Sequence, residues 1–260
     1  MLKESICNAL HGEFFVKIIA VIPARYDSTR LAGKVLLNET GKYLIQHTYE
    51  SALKASRLDS IIIAADDPKV VSACSEFGAK AVMTSRSHQS GTDRIAEAVK
   101  NSDAEIIINI QGDEPEIDSV NIDVIADLMV SNPKCQMGTL VAGFENQQDI
   151  HNPDIVKCIV DNSGKAIYFS RCPIPYSRDV RGIGDKSFYL RHIGIYAYRK
   201  DFLNKFTALP QSNLEKIEKL EQLRAIENGY SICTAKVNHT CAGIDTPEQY
   251  KAFVERQNKR

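Results

Sequence analysis

The first half of the chain alternates short apolar, β-branched runs with polar loops and helix-period segments, and few architectures accept that order. Residues 16–22 (VKIIAVI), 60–65 (SIIIAA), 81–83 and 105–110 (EIIINI) read as strands buried on both faces. Helix-like stretches separate them at 43–56, from Pro68 onward, at 91–100 and at 119–130. A strand that is apolar at successive positions needs cover on both sides, and strand–helix–strand units supply it by parallel pairing with helices on both faces. The expected class is therefore α/β, with a mainly parallel, Rossmann-like nucleotide-binding sheet flanked by helices. In such sheets ligands bind beyond the C-terminal strand ends. The most unusual polar segments, 23–34, 65–67 and 111–115, fall there.

The second half is less regular. Segments 155–160 and 165–169 flank Asp161-Asn162-Ser163-Gly164 as a hairpin, 192–198 and 232–237 read as strands, and Thr246-Pro247-Glu248 opens a last helix. Leu214, Ile217, Leu220, Leu223 and Ile226 recur at three-residue steps and predict one helix over 213–227. The expected organisation is an extension at 1–15, a nucleotide-binding part at 16–131 and 243–260, and a smaller part at 132–242.

Charge and cysteine usage exclude several classes. Lys and Arg total 32 against 33 Asp and Glu, so no global field draws in nucleic acid or a membrane surface. Apolar runs such as 18–22 and 106–108 are too short to span a bilayer, so no membrane partner is expected. Seven cysteines without CxxC spacing indicate neither a zinc site nor a redox pair. Reduced, buried thiols and a cytoplasmic location are the expectation.

Three segments carry the chemistry. Segment 23–34 (PARYDSTRLAGK) sets Arg25, Arg30 and Lys34 at a strand end, which suits polyphosphate binding. It is not a P-loop, and no GxGxxG follows the first strand, which weighs against an ATPase or a dinucleotide oxidoreductase. In Gln111-Gly112-Asp113-Glu114-Pro115, Asp113 at a strand end suits Mg²⁺. Asp245 is the candidate second carboxylate, although spacing alone favours a helix cap there. Segment 88–94 (HQSGTDR) offers hydroxyls and N–H groups to a ligand, or simply caps a helix with Asp93 complementing its dipole.

Seven segments in order, IPARYDSTRLAGK, HQSGTDR, NIQGDEP, YFSR, FYLRHIGIYAYR, LEKIEKLEQLR and GIDTPEQ, resemble the 3-deoxy-manno-octulosonate (Kdo) cytidylyltransferases from about Val16 to the C-terminus. The resemblance implies CMP transfer from CTP to the anomeric hydroxyl of Kdo for lipopolysaccharide synthesis, with Mg²⁺ as cofactor and a homodimer as the assembly. It implies that Arg25, Arg30 and Lys34 hold and polarise the CTP phosphates and that Asp113 joins them as a catalytic residue. Ala24, Ala65, Asp66, Ser90, Arg94, Gln111 and Gly112 would border the nucleotide, and Asp113 and Asp245 would hold the metal. Arg171, His192, Tyr196, Glu221 and Gln222 would contact the sugar, in the part that would also dimerise, with Gln111 of the nucleotide-binding part shared. Ala32, Asp93 and Ala65 stand where the family more often has Pro, Glu and Thr. Other acid sugars (sialic acid, 8-amino-Kdo) and a non-catalytic nucleotide-binding module are the rival readings.

Overall fold

The computed structural model describes residues 16–27, 31–238 and 243–259, so the expected extension at 1–15 lies outside the described residues. Its first half follows the alternation in the sequence. The strands are β1 (Ile18–Ala24), β2 (Ser60–Ala65), β3 (Ala81–Met83) and β4 (Ile106–Asn109). The helices are α1 (Leu44–Ala52), α2 (Pro68–Glu76), α3 (Gly91–Ala98) and α4 (Ser119–Ser131). All pairings among β1–β4 are parallel.

The second half adds β5 (Met137–Gly143), the hairpin β6 (Lys157–Val160) and β7 (Ala166–Ser170), and the long β8 (Leu190–Arg199). Then come α5 (Lys200–Ala208), α6 (Asn213–Glu218), α7 (Leu223–Glu227), β9 (Ile232–Val237) and α8 (Pro247–Gln257). One sheet runs β3-β2-β1-β4-β8-β5-β9, with β6 paired to β7 and β8. β8 is antiparallel to β4 and β5, and β5 is parallel to β9. The sheet is thus continuous between the two expected parts.

Alternate side chains of each strand enter opposite layers, as the two-residue strand period requires. Ala20, Ile22 and Ile108 pack with Ile45, Val70, Ile122, Ile125 and Met129 of α1, α2 and α4. Ile19, Val21 and Ile107 pack on the other face with Ile95 of α3, with its C-cap Val99, and with Phe202, Leu203 and Phe206 of α5. Leu44, Ile244, Tyr250 and Phe253 seat α8 beside α1.

Three features depart from the sequence reading. β5 and α5 were not expected as elements. The helix expected over 213–227 is two helices, interrupted at Lys219, which has φ +54°. A strict three-residue repeat drifts about 60° per step around a 3.6-residue helix, so its members cannot all face one core. The break buries Leu220 and Leu223 and leaves Ile217 78 % exposed. Finally, the reduced-thiol expectation fails for one pair: Cys135 and Cys233, 98 residues apart, are joined as a disulfide with Cα atoms 6.3 Å apart. Parallel pairing of Met137 with Ile232 brings the two chain segments together. Cys74 and Cys158 are free and buried, and Cys172 is free and exposed.

Candidate active site

The C-terminal ends of β1 and β4 open into a cavity of about 310 Å³. Arg25, Lys34, Arg94, Gln111, Gly112, Asp113 and Asp245 all line it. At its floor Lys34 Nζ donates to Asp113 Oδ2 at 2.7 Å and to Asp245 Oδ1 at 2.9 Å. These partners lie 79 and 211 residues away in sequence. Gly33, with φ +61°, starts the 3₁₀ turn Lys34–Leu36 that sets the lysine there, a conformation glycine adopts at little cost.

Close backbone packing holds the carboxylates in place. A Cβ on Gly112 would lie 2.7 Å from the Pro23 carbonyl oxygen, so only glycine lets the Gln111–Asp113 turn settle on the end of β1. Thr48 Oγ1 donates to the Gly112 carbonyl, and the Ile244 N–H donates to the Asp113 carbonyl at 2.8 Å. The N-cap of α8 is Thr246, in a capping box with Gln249, so the capping role falls one residue past Asp245. The Asp245 carboxylate is thereby available to Lys34.

Of the remaining predicted nucleotide residues, Arg94 lines the cavity, whereas Ala24, Ala65, Asp66 and Ser90 are not among its lining residues. Ala24 and Ala65 are buried at adjacent ends of β1 and β2. Asp66 and Arg94 are both buried and face each other: Arg94 Nη2 donates to Asp66 Oδ2 at 3.1 Å and Nη1 to Thr84 Oγ1 at 2.7 Å. Asp66 Oδ1 accepts the Tyr26 N–H at 2.9 Å, which ties the pair to the segment carrying Arg25. Ser90 caps α3 in a capping box with Asp93, so the capping alternative for this segment is present in the structure. Arg30 lies outside the described residues.

A second group of predicted residues gathers on the β8 side. Gln111 Nε2 donates to the Gly194 carbonyl at 3.4 Å. The His192 ring lies 5.1 Å from Phe169 and 5.3 Å from Tyr196. Thr139 donates its hydroxyl to the Ile195 carbonyl at 2.8 Å, so His192 Nε2, 2.9 Å from Thr139 Oγ1, donates to that hydroxyl oxygen and is the protonated nitrogen of a neutral ring. Burial lowers the His192 pKa to about 3 and raises that of the Tyr196 phenol. Burial also raises the Glu221 pKa, against the Thr92 hydroxyl that donates to Glu221 Oε2 at 2.5 Å. Glu221 Oε1, with the Arg224 guanidinium 3.6 Å away, and Gln222 Nε2 are buried without a hydrogen-bond partner among the described residues. Buried polar atoms of that kind are uncommon in folded proteins.

Arg171 stands apart at the end of β7, and none of its hydrogen bonds reaches that group. Glu218 accepts from the Arg171 N–H through Oε2 and from Nε through its carbonyl, at 3.0 and 2.7 Å. Glu218 and Thr92 went unnoticed in the sequence as supports for Arg171 and Glu221. Nothing in LEKIEKLEQLR marks Glu218 out from its charged neighbours, and Thr92 sits in a capping segment.

A sheet parallel across β1–β4, with cations and two carboxylates gathered beyond the ends of β1 and β4, is the arrangement of a nucleotidyltransferase. A family profile described as Cytidylyltransferase matches residues 19–232. A 3-deoxy-manno-octulosonate cytidylyltransferase of Solibacter usitatus is 48 % identical over 89 % of this chain and 91 % of its own length. One from Rhodopirellula baltica is 45 % identical over 93 % of this chain and 98 % of its own. A solved CMP:2-keto-3-deoxy-manno-octonic acid synthetase complexed with CTP superposes with TM-score 0.88 at 41 % identity, over 94 % of this chain and 99 % of that one. The chain belongs to the cytidylyltransferase family, among its 3-deoxy-manno-octulosonate members. A 4-diphosphocytidyl-2C-methyl-D-erythritol synthase from Anaerococcus prevotii shares the fold at 13 % identity, with TM-score 0.61 over 95 % of this chain and 97 % of that one.

Proposed function

We propose that the protein transfers CMP from CTP to the anomeric hydroxyl of Kdo and releases pyrophosphate, a step in lipopolysaccharide synthesis. The observation that carries this reading is the Lys34 ammonium held by Asp113 and Asp245 inside the strand-end cavity. Two convergent carboxylates offer the hard oxygen ligands that Mg²⁺ takes, so these aspartates would hold it. Bound there, Mg²⁺ would supply Lewis-acid charge neutralisation at the triphosphate.

In the reaction the sugar hydroxyl oxygen bonds to the α-phosphorus and releases its proton to solvent, as the bond from that phosphorus to the bridging β-phosphate oxygen breaks and pyrophosphate leaves with the electron pair. Charge grows on the phosphate oxygens, where Arg25 and Lys34 stabilise it, with Arg30 assigned to the same task. Gln111 and Gly112 border the nucleotide at the end of β4. The neutral His192, Tyr196, Glu221 and Gln222 meet sugar hydroxyls, and the Arg171 fork takes the sugar carboxylate. Holding two anions together in line is the main entropic and electrostatic task.

The same reading includes a homodimer and a cytoplasmic location. Tyr176, Val180 and Phe188, each more than 60 % exposed, are apolar side chains that a second copy would cover. Reliance on CTP places the enzyme with the cytoplasmic nucleotide pool. Among the described residues no helix is long and apolar enough to cross a membrane.

The direct test is pyrophosphate release with CTP and Mg²⁺, alone and with Kdo, 8-amino-Kdo or sialic acid. Release with Kdo only is expected. Release with another acceptor keeps the nucleotide half and moves the error to the sugar group. No release from folded protein that binds CTP refutes catalysis.

A further inference from the structure

Lys157, the first residue of β6, is fully buried. Lysine is almost never buried without an acidic partner, because its strongly hydrated ammonium loses water at high cost. Here no carboxylate forms an ion pair with it among the described residues. Its ammonium instead donates to three main-chain carbonyls: Asn152 at 3.0 Å, Ile155 at 2.8 Å and Arg171 at 2.5 Å. Those three bonds use all of its donors. Glu218 and the Cys172 thiol are the acidic groups whose fields reach it, and Arg171 opposes them.

The three acceptors share one neighbour. Asn152 and Ile155 bracket the turn containing Pro153, and the Pro153 carbonyl accepts from Arg171 Nη1 at 2.9 Å. Lys157 therefore fixes the Arg171 main chain directly and, through the 152–155 turn, the carbonyl that orients its guanidinium. Glu218 holds Arg171 from its other side. With Nε and one Nη1 hydrogen engaged, Nη2 has no acceptor among the described residues and is the free edge of the fork.

We propose that Lys157 is a positioning residue for acceptor-sugar recognition, its ammonium joining the 152–155 turn to the Arg171 carbonyl so that the free edge of the Arg171 guanidinium is held for the sugar carboxylate. This rests on the reading of Arg171 as the carboxylate contact. An unoriented arginine loses the preorganisation that makes a bidentate contact strong, while the nucleotide cavity, built on other strand ends, is unaffected.

The test is steady-state kinetics on the full chain for Lys157→Met, Arg171→Ala and the double variant, each checked for folding by thermal melting and for CTP binding by calorimetry. Lys157→Met is expected to raise KM for Kdo about tenfold or more, with KM and Kd for CTP changed less than about twofold and kcat within about threefold. In the double variant KM for Kdo should match that of Arg171→Ala alone, since Lys157 acts through Arg171. Additive losses, or equal damage to both substrates, would show a structural residue and overturn the proposal. If Arg171→Ala leaves KM for Kdo unchanged, the Arg171 reading itself fails. If Arg171→Ala raises it and folded Lys157→Met does not, only the Lys157 role fails. Should Lys157→Met not fold, Lys157→Gln, which keeps two donors, takes its place, and failure of both to fold also overturns the proposal.

Discussion

Arg94→Met should unfold the protein more readily and weaken CTP binding only through the segment that Arg94 supports. Arg94 is 1 % exposed and Asp66 7 % exposed. The substitution removes the 3.1 Å ion pair and the 2.7 Å bond to Thr84, leaving the Asp66 carboxylate with the Tyr26 N–H. Removing one partner of a buried pair costs about 3–5 kcal/mol, because the other charge stays desolvated. For a chain of this size that is a fall in Tm on the order of 10 °C. Urea denaturation gives the free energy, and the cycle completed by Asp66→Asn and the double variant gives the coupling. The double variant should be clearly more stable than Arg94→Met, because no unpaired charge remains. A loss under about 1 kcal/mol, together with a collapse in CTP affinity, would refute this reasoning and make Arg94 a direct ligand.

Asp113→Asn should lower turnover by orders of magnitude and weaken Mn²⁺ binding followed by paramagnetic relaxation, with the melting profile intact; near-normal activity would refute the metal assignment. Gly112→Ala should lower both stability and CTP affinity, since its Cβ would meet the Pro23 carbonyl at 2.7 Å; an unchanged melting temperature and CTP affinity would show that the turn relaxes freely. His192 binds its proton only near pH 3 when folded and near 6.5 when unfolded, so its contribution is complete above pH 6.5 and is lost as pH falls toward 3. In wild type this group should add up to about 1.4 kcal/mol per pH unit to the slope of stability between those values, and His192→Gln should remove it. An equal slope in both proteins would show that His192 titrates normally.

Much of the site was legible because its segments are local. Arg25 and Lys34 follow the run that becomes β1, and Gln111, Gly112 and Asp113 follow the run that becomes β4; apolar β-branched patterning reveals both strand ends without knowledge of the partners. Asp245 shows the limit. Its sequence context, before Thr-Pro-Glu, is that of a cap, and only the structure gives the cap to Thr246 and the carboxylate to Lys34. Asp66 and Arg94 were given nucleotide roles only by the family resemblance, and nothing in the sequence marked them as each other's buried partners. Lys157 and Glu218 carried no signal, since what distinguishes them is the company of main-chain atoms from distant turns.

The sequence alone determined the layered α/β class, the positions of the first four strands and the chemical type of each strand-end loop. Those properties follow from side-chain period and local turn chemistry, which act within a few residues. Tertiary structure decided the antiparallel insertion of β8 between β4 and β5, the break at Lys219 and the pairing of Cys135 with Cys233. It also decided the meeting of Lys34 with carboxylates 79 and 211 residues away. Each depends on which strand lies beside which and in what register, and register is set by the packing of both sheet faces at once rather than by any one segment.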